Sequence, residues 1–405
     1  MAGITKPIAR WLRSFVLCLL ACSPAPAWAE TTSDADSPFP LLPGLEKSVD
    51  FWKRIFTEFS LSQLVFFDPL DMSKIYEVLD VGEEHRGRDY IDDQRARVAA
   101  THGVDIERVR IQRGTKERTA AGLKRSGRYI EQMQEIFRER GLPAELTYLP
   151  IVESSYELKA RSHAGAQGIW QFMRRTGKEF RLRVGRAIDE RKDPLESTRA
   201  AAALLAQNHQ VLGNWPLAIT AYNYGQTGIA RAVAEIESDN LVELIRRYDH
   251  RHWGFPSKNF YAEFLAAVDI AKNVNHYFPD LELDPPSPIK EVEFKKRASL
   301  STVLKATGLT KAQFYEWNPA FAPSTRFIPA GYRVKMPAEK SEPDLVEVAN
   351  GKQEKTLVRH RVKRGETISH IARRYGASVD EILKINRIRA ARLLRAGTTL
   401  LIPKL

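Results

Sequence analysis

The chain has 405 residues, 43% of them apolar, which leaves room for more than one packed domain. Its 62 Lys and Arg against 50 Asp and Glu give a charge of +12, a field that suits an anionic polymer. Nucleic acid is set aside as that polymer, because the sequence has no Gly-rich phosphate loop and no Cys/His zinc spacing.

The first segment reads as a secretory leader. Lys6, Arg10 and Arg13 precede the short apolar run SFVLCLLAC, Pro24 and Pro26 break it, and AWA offers a small-residue cut after Ala29. A rival reading takes LLAC as a lipobox, leaving Cys22 lipidated and the product associated with the outer membrane. Both readings export the chain, to the periplasm or cell envelope. Cys18 and Cys22 fall inside the leader, so the mature chain has no disulfide and relies on a packed core.

Residues 30–117 are expected to form a helical extension and linker. The stretch 30–45 is rich in Ser, Pro and acids and reads as loose. VDFWKRIFTEFSLSQLVFFDP carries helical spacing, and RVAATHGVDIERVRIQRGTKERTAAG reads as a basic connection. From about 118 to 279 the pattern is helical throughout, which predicts an all-α domain over 118–283. One helix presents Tyr129, Ile130, Met133, Ile136 and Phe137 and stops at RGLP. Another has Asp193 at its N-cap, Pro194 at the first position, Glu196 three residues past the cap and Gly213 at its end.

Beyond DPPSP the chain repeats itself. SLSTVLKATGLTKAQFYEWNP matches TISHIARRYGASVDEILKINR without a gap at an offset of 68, each copy then reaching a Gly and a short strand. The copies span 290–338 and 358–404, and the polar stretch 339–357 is expected as a flexible linker.

The stretch YLPIVESSYE places one acid, Glu153, behind an apolar run at a helix end. A general acid working at neutral pH needs a raised pKa, obtained by desolvation away from other charges. The nearest charged neighbour in sequence is Glu157.

VESSYELKARSHAGAQGIWQFM, DERKDP, AYNYG and KNFYAEF, in that order, resemble the family-one lytic transglycosylases of the membrane-bound lytic murein transglycosylase D type. The C-terminal copies resemble lysin motifs; the second is a close match and the first lacks the usual opening signature. The resemblance implies a mainly α chain: a goose-lysozyme-like helical catalytic domain followed by small α+β modules of β-α-α-β order. It implies peptidoglycan as partner, cleavage of the MurNAc–GlcNAc bond, and closure of the sugar's own C6 hydroxyl on C1 to leave a 1,6-anhydro-MurNAc end. By resemblance Glu153 is the single acid and base, with Ser154 holding substrate or the acid itself. Gly165 and Gly168 would let backbone approach a ligand, and Gln171 would meet a hydroxyl or N-acetyl group. Trp170 reads as a core aromatic. Tyr222 and Asn223 would line the sugar cleft, and Tyr261 would bond near the acid. Gly365, Thr367, Ile368 and Asn386 read as fold-setting in the second module.

Asp189 and Glu190 stay open as further acids. His163, His209 and His252 show no metal spacing, so no metal and no cofactor is expected. A hydrolytic, lysozyme-like muramidase and a non-catalytic wall-binding scaffold are the alternative functions. Exolytic or endolytic action, dependence on the peptide stem and oligomeric state stay open.

Overall fold

Helical spacing carries the first element only part of the way expected. In the computed structural model, which describes residues 37–82, 87–339, 343–350, 356–391 and 394–404, α1 runs Glu46–Thr57 and buries Val49, Phe51, Trp52, Ile55 and Phe56. Both readings of the leader lie outside these residues. Gln63–Asp68 then forms a strand, β1, and not more helix. Its run Leu64, Val65, Phe66 and Phe67 is buried throughout, as happens when a strand is covered on both faces. β1 is the middle strand of an antiparallel sheet, between β2 (Asp71–Asp80) and β3 (Arg110–Arg113). The helix α2 (Arg88–His102) lies between β2 and β3 in the chain. The expected helical extension over 30–117 is therefore a mixed layer, and the basic connection supplies an edge strand.

This layer docks on the helices that follow. Trp52 Nε1 donates to Asn259 Oδ1 at 3.3 Å, and the Arg110 guanidinium lies 4.0 Å over the Phe255 ring. Next come α3 (Lys116–Ser126), α4 (Ile130–Arg138) and α5 (Leu149–Ser154). Residues 155–173 then form a looped segment without a helix, against the expectation of helix throughout. A short α6 (Arg174–Glu179) leads to the long α7 (Pro194–Leu212). The signals at the ends of α7 work as expected. The Asp193 carboxylate accepts from the Leu195 and Glu196 amides at 3.0 Å each, and Gly213 closes the helix at φ 80°. α8 (Trp215–Tyr224), α9 (Gln226–Ile236), α10 (Leu241–Arg247), α11 (Phe255–Lys272) and α12 (Val274–Tyr277) complete the helical part. No helix of the described residues is long and apolar enough to cross a membrane.

The two C-terminal copies share one skeleton. The first pairs β4 (Ile289–Phe294) antiparallel with the strand that closes it. Between them stand a minor strand β5 (Ala298–Ser299), helices α13 (Leu300–Thr307) and α14 (Lys311–Trp317), and β6 (Phe327–Ile328); the closing strand is β7 (Tyr332–Pro337). The expected linker holds a helix, α15 (Pro343–Ala349), whose Val348 and Ala349 join the buried core of the first copy. Those two apolar side chains gain more by burial than a free linker would allow. The second copy runs β8 (Thr356–Arg361), α16 (Ile368–Tyr375), α17 (Val379–Ile385) and β9 (Thr399–Lys404), with β8 and β9 paired. Equivalent residues cap equivalent helices. Ser299 and Thr367 cap the first helix of each copy, Thr310 and Ser378 the second, and Gly308 and Gly376 end the first at φ 63° and 68°.

Candidate active site

The backbone turns sharply straight after the acid. Ser155 and Tyr156 both sit in the left-handed region, at φ 50° and 54°, a costly pair for residues other than glycine. The surroundings hold them there. Arg125 Nη2 donates to the Ser155 carbonyl at 2.6 Å, and the Tyr156 hydroxyl donates to the Thr147 carbonyl at 2.5 Å. Gly122 of α3 lets this turn come close, since a Cβ there would run into Ser155. The result is a last turn of α5 with its side chains fixed in direction.

Glu153 is in that turn. It is half-buried, and no described residue gives its carboxylate a hydrogen bond or ion pair. Burial pushes its pKa up to about 8. At neutral pH Glu153 therefore keeps its proton, the state a general acid needs. Ser154 donates to the Ile169 carbonyl at 2.8 Å, tying α5 to the looped segment.

That segment is organised by a residue the sequence did not single out. The buried Arg191 donates through Nη1 to the Gly165 and Phe172 carbonyls at 3.0 Å each, and pairs with Asp189 at 2.8 Å. Gly168, at φ 78°, passes so close to Arg191 that a Cβ would overlap its carbonyl oxygen. The glycine was expected to admit a ligand; it admits the Arg191 backbone. Gln171, itself at φ 47°, turns its amide nitrogen to the Gly168 carbonyl at 2.7 Å, leaving its Oε1 without a recorded partner among the described residues. Trp170 is buried, donates to Thr198 Oγ1 at 2.8 Å and stacks on Phe137, so it belongs to the core.

Three expected residues come from α8 and α11. The Tyr222 hydroxyl donates to the Trp170 carbonyl at 2.8 Å; burial raises its pKa, and the charge of Glu153 raises it further. Asn223 is exposed, and its Oδ1 accepts from Ser257 at 2.7 Å, which leaves its amide nitrogen as the free donor of that side chain among the described residues. Tyr261 is buried on α11, the helix that packs against α5. Asp189 is committed to Arg191, while Glu190 accepts from the Arg183 amide at 2.7 Å and is pushed up by burial to about 7. Neither is among the groups whose charge acts on Glu153. The residue missed is Glu263, in KNFYAEF itself. It is half-buried, and burial followed by the charge of Glu153 pushes it up to about 8. Its signal was there to read: it is the only charge between Lys258 and Asp269.

Among the described residues no group of three metal-ligating side chains occurs. His209 stacks on Trp215 at 4.2 Å, and His252 bonds Arg251.

Residues 131–241 match the transglycosylase SLT domain, and residues 360–403 match the LysM domain. The membrane-bound lytic murein transglycosylase D of Escherichia coli (strain K12) is 27% identical over 274 residues, covering 63% of this chain and 59% of that protein. A putative tributyltin chloride resistance protein of Alteromonas sp. (strain M-1) is 33% identical over 111 residues, 27% of this chain and 54% of that one. An inactive mutant of the lytic transglycosylase Slt from Pseudomonas aeruginosa is 22% identical with a TM-score of 0.30, covering 37% of this chain and 25% of that one, too slight a likeness to bear on the fold. The chain thus spans about six-tenths of the length of the transglycosylase relatives it matches. It carries a transglycosylase SLT domain and a LysM domain, and is homologous to membrane-bound lytic murein transglycosylase D.

Proposed function

We propose that the protein is a peptidoglycan lytic transglycosylase, cleaving the β-1,4 bond between MurNAc and GlcNAc and leaving 1,6-anhydro-MurNAc ends. The observation that carries this reading is Glu153: a half-buried carboxyl without a cation, held protonated to about pH 8, in the last turn of α5. In the first step its proton passes to the glycosidic oxygen as the C1–O bond breaks. The Glu153 carboxylate then takes the proton of the sugar's C6 hydroxyl while O6 bonds to C1. The proton has returned, no water has been consumed, and the acid is ready again. Asn223, Gln171 and Tyr222 hold the sugar beside it, Tyr261 supports α11 behind it, and Ser154 fixes the turn.

The homologue is a membrane-bound lytic murein transglycosylase, and the LysM domain suits the same substrate. The protein accordingly works in the cell envelope, delivered by its leader or, if Cys22 is lipidated, held at the outer membrane. We further divide the labour. Residues 118–283 carry the chemistry, 290–338 brace that domain, and 358–404 grip glycan.

Hydrolysis by water is the second reading, favoured by the presence of Glu263 as a second carboxyl. Glu263 is itself neutral at pH 7, which leaves it a poor base for activating water. Mass analysis of sugars released from purified peptidoglycan separates the two. Anhydro ends are expected; mainly reducing MurNAc ends would move the protein to the muramidase reading. Glu153→Gln should lower turnover by at least about a hundredfold with wall binding retained, and residual activity above that level would remove Glu153 from its role.

A further inference from the structure

The first turns of α11 are held from two sides. Phe255 and Asn259 stand one turn apart on one face of the helix. The Phe255 ring lies under the Arg110 guanidinium at 4.0 Å, with the ring of Phe67 5.8 Å away. Asn259 is buried with both ends of its amide in use. Its Oδ1 accepts from Trp52 Nε1 at 3.3 Å, and its Nδ2 donates to the Phe255 carbonyl at 3.0 Å. This face therefore belongs to α1, β1 and β3 of the N-terminal layer. Ser257 falls between the two, roughly half a turn round the helix. It is buried, and its hydroxyl donates to Asn223 Oδ1, in the last turn of α8, at 2.7 Å. Buried hydroxyls elsewhere in these helices bond a carbonyl one turn back, as Ser197 does to Asp193 at 2.5 Å and Thr220 to Pro216 at 2.7 Å. Ser257 instead reaches across to a side chain of another helix.

We propose that Ser257 is a positioning residue for substrate: by occupying the Asn223 oxygen it fixes the amide with its nitrogen outward, so that the sugar atom Asn223 meets is an acceptor oxygen. The proposal rests on the reading of Asn223 as a residue of the sugar cleft. An exposed Asn left to itself turns over, exchanging an acceptor for a donor at the same place. A buried donor on its oxygen removes that choice before the sugar arrives, so less order has to be imposed on binding. Because α11 also packs on α5, the same bond ties Asn223 to the helix that supports the turn of Glu153. The N-terminal layer enters through this contact, since its hold on Phe255 and Asn259 sets the turn from which Ser257 reaches.

The test is a double-mutant cycle on the full chain, read as KM and kcat on short soluble muropeptides. Ser257→Ala should raise KM by roughly three- to tenfold, the worth of one hydrogen bond, with a smaller fall in kcat. Ser257→Thr keeps the hydroxyl and should return KM toward the wild-type value. On an Asn223→Ala background, Ser257→Ala should add nothing further, because it acts through that side chain. A Ser257→Ala effect of full size on that background overturns the proposal, and so does an Asn223→Ala protein with unchanged KM. Should Ser257→Ala fail to fold, Asn223→Asp decides the matter. That substitution keeps an oxygen for Ser257 and puts a second oxygen where the nitrogen was, so KM should rise at least as far as in Asn223→Ala. A KM retained in Asn223→Asp would mean that an oxygen faces the sugar, and overturns the proposal. An active Glu153→Gln protein would remove the assignment of the acid; additive effects of Ser257→Ala and Asn223→Ala would remove this inference alone.

Discussion

In both C-terminal copies an Asn at the end of the second helix reaches back to the closing strand. Asn318 donates to the Lys335 carbonyl at 2.8 Å and accepts from its amide at 2.9 Å; Asn386 does the same to Leu401, at 2.7 Å each way. The skeleton is conserved to that detail, and the side chain on the clamped residue differs. Lys335 is fully buried, its Nζ 3.0 Å from Asp193, 3.2 Å from Glu196 and 3.3 Å from Glu291. Asp193 is the N-cap of α7 and Glu196 stands in its first turn, so the first copy is wired to the helical domain through the start of its longest helix. Arg199 and Arg333 complete the cluster on Glu291 and Glu196. The loop ahead of the closing strand is engaged as well. Ala322 donates to the Ala187 carbonyl at 2.9 Å, the Thr325 hydroxyl reaches the same carbonyl at 2.8 Å, and Ile188 packs into the core of the first copy. Leu401, by contrast, is half-buried and makes no such bridge. One fold is tied to the helical domain by a buried charge cluster in one place and, among the described residues, lacks such a cluster in the other. The difference lies in a single strand position and the charges it meets.

Making the first copy resemble the second at that position should have the largest effect. Lys335→Leu leaves three carboxylates buried with two arginines, and removing one partner of a buried charge cluster costs about 3–5 kcal/mol. Denaturant unfolding of the full chain should show it, and a loss under about 1 kcal/mol would break the contrast. Glu196→Gln tests the same cluster through pH. Burial alone would raise Glu196, but Lys335, Arg333 and Arg199 hold it down at about 2. A carboxyl held below its unfolded value contributes stability above the ordinary carboxylate range, and loses it as pH falls through 4.5 toward 2. The stability gap between wild type and Glu196→Gln should therefore be widest near neutrality and close on acidification. Asp193 shifts the other way, raised by its burial, which is why the gap and not the total carries the test.

The sequence made parts of this legible and hid others, for physical reasons. Asp193, Pro194 and Gly213 declared α7 because capping is a local affair between neighbours in the chain. The repeat was visible because its caps and turns recur at fixed spacing. Lys335 was not visible: a lysine in a short strand usually reaches solvent, and nothing near it in sequence announces three acids brought in from 193, 196 and 291. β1 was taken for helix because a strand covered on both faces loses its alternation, leaving only a continuous apolar run. Glu196 had been read as part of the cap, yet its carboxylate turns to Arg333 and Lys335. At the site, Glu153 and Glu263 carry the same mark, one acid alone in an apolar run. Only the first was recognised, because a motif drew attention to it.

A smaller effect should come from the clamps themselves. Asn318→Ala and Asn386→Ala each strand one strand amide and one carbonyl, at about 1–3 kcal/mol where burial is complete. Asn318 is fully buried and Asn386 only half-buried, so the first substitution should cost more. It should also destabilise the helical domain, whereas Asn386→Ala should loosen only the second copy. Hydrogen exchange of the amides in α7 and in β9 resolves the two. Equal protection loss in α7 would mean that both copies are built into the domain.

The smallest effect on the catalytic unit should follow deletion of residues 358–405. The second copy has a core of its own, formed by Val362, Ile368, Ile371, Ala372, Ile382, Leu400 and Ile402. It meets the first copy where the ring of Phe327 lies against Gly376, and among the described residues it has no counterpart to the buried charge cluster. Removing it uncovers part of the Phe327 ring, over which Arg297 stays at 3.8 Å. The unfolding midpoint of the remaining chain and its turnover of short soluble muropeptides should therefore stay close to those of the full chain. Retention on sacculi should fall by roughly tenfold or more, because a second attachment raises effective concentration without touching the chemistry. Deletion from residue 290 should do the opposite, lowering stability and soluble-substrate turnover together, since it strips the cap of α7 of Lys335 and Arg333. If the shorter deletion also destroys soluble-substrate activity, the second copy is part of the catalytic unit and the contrast between the two copies fails.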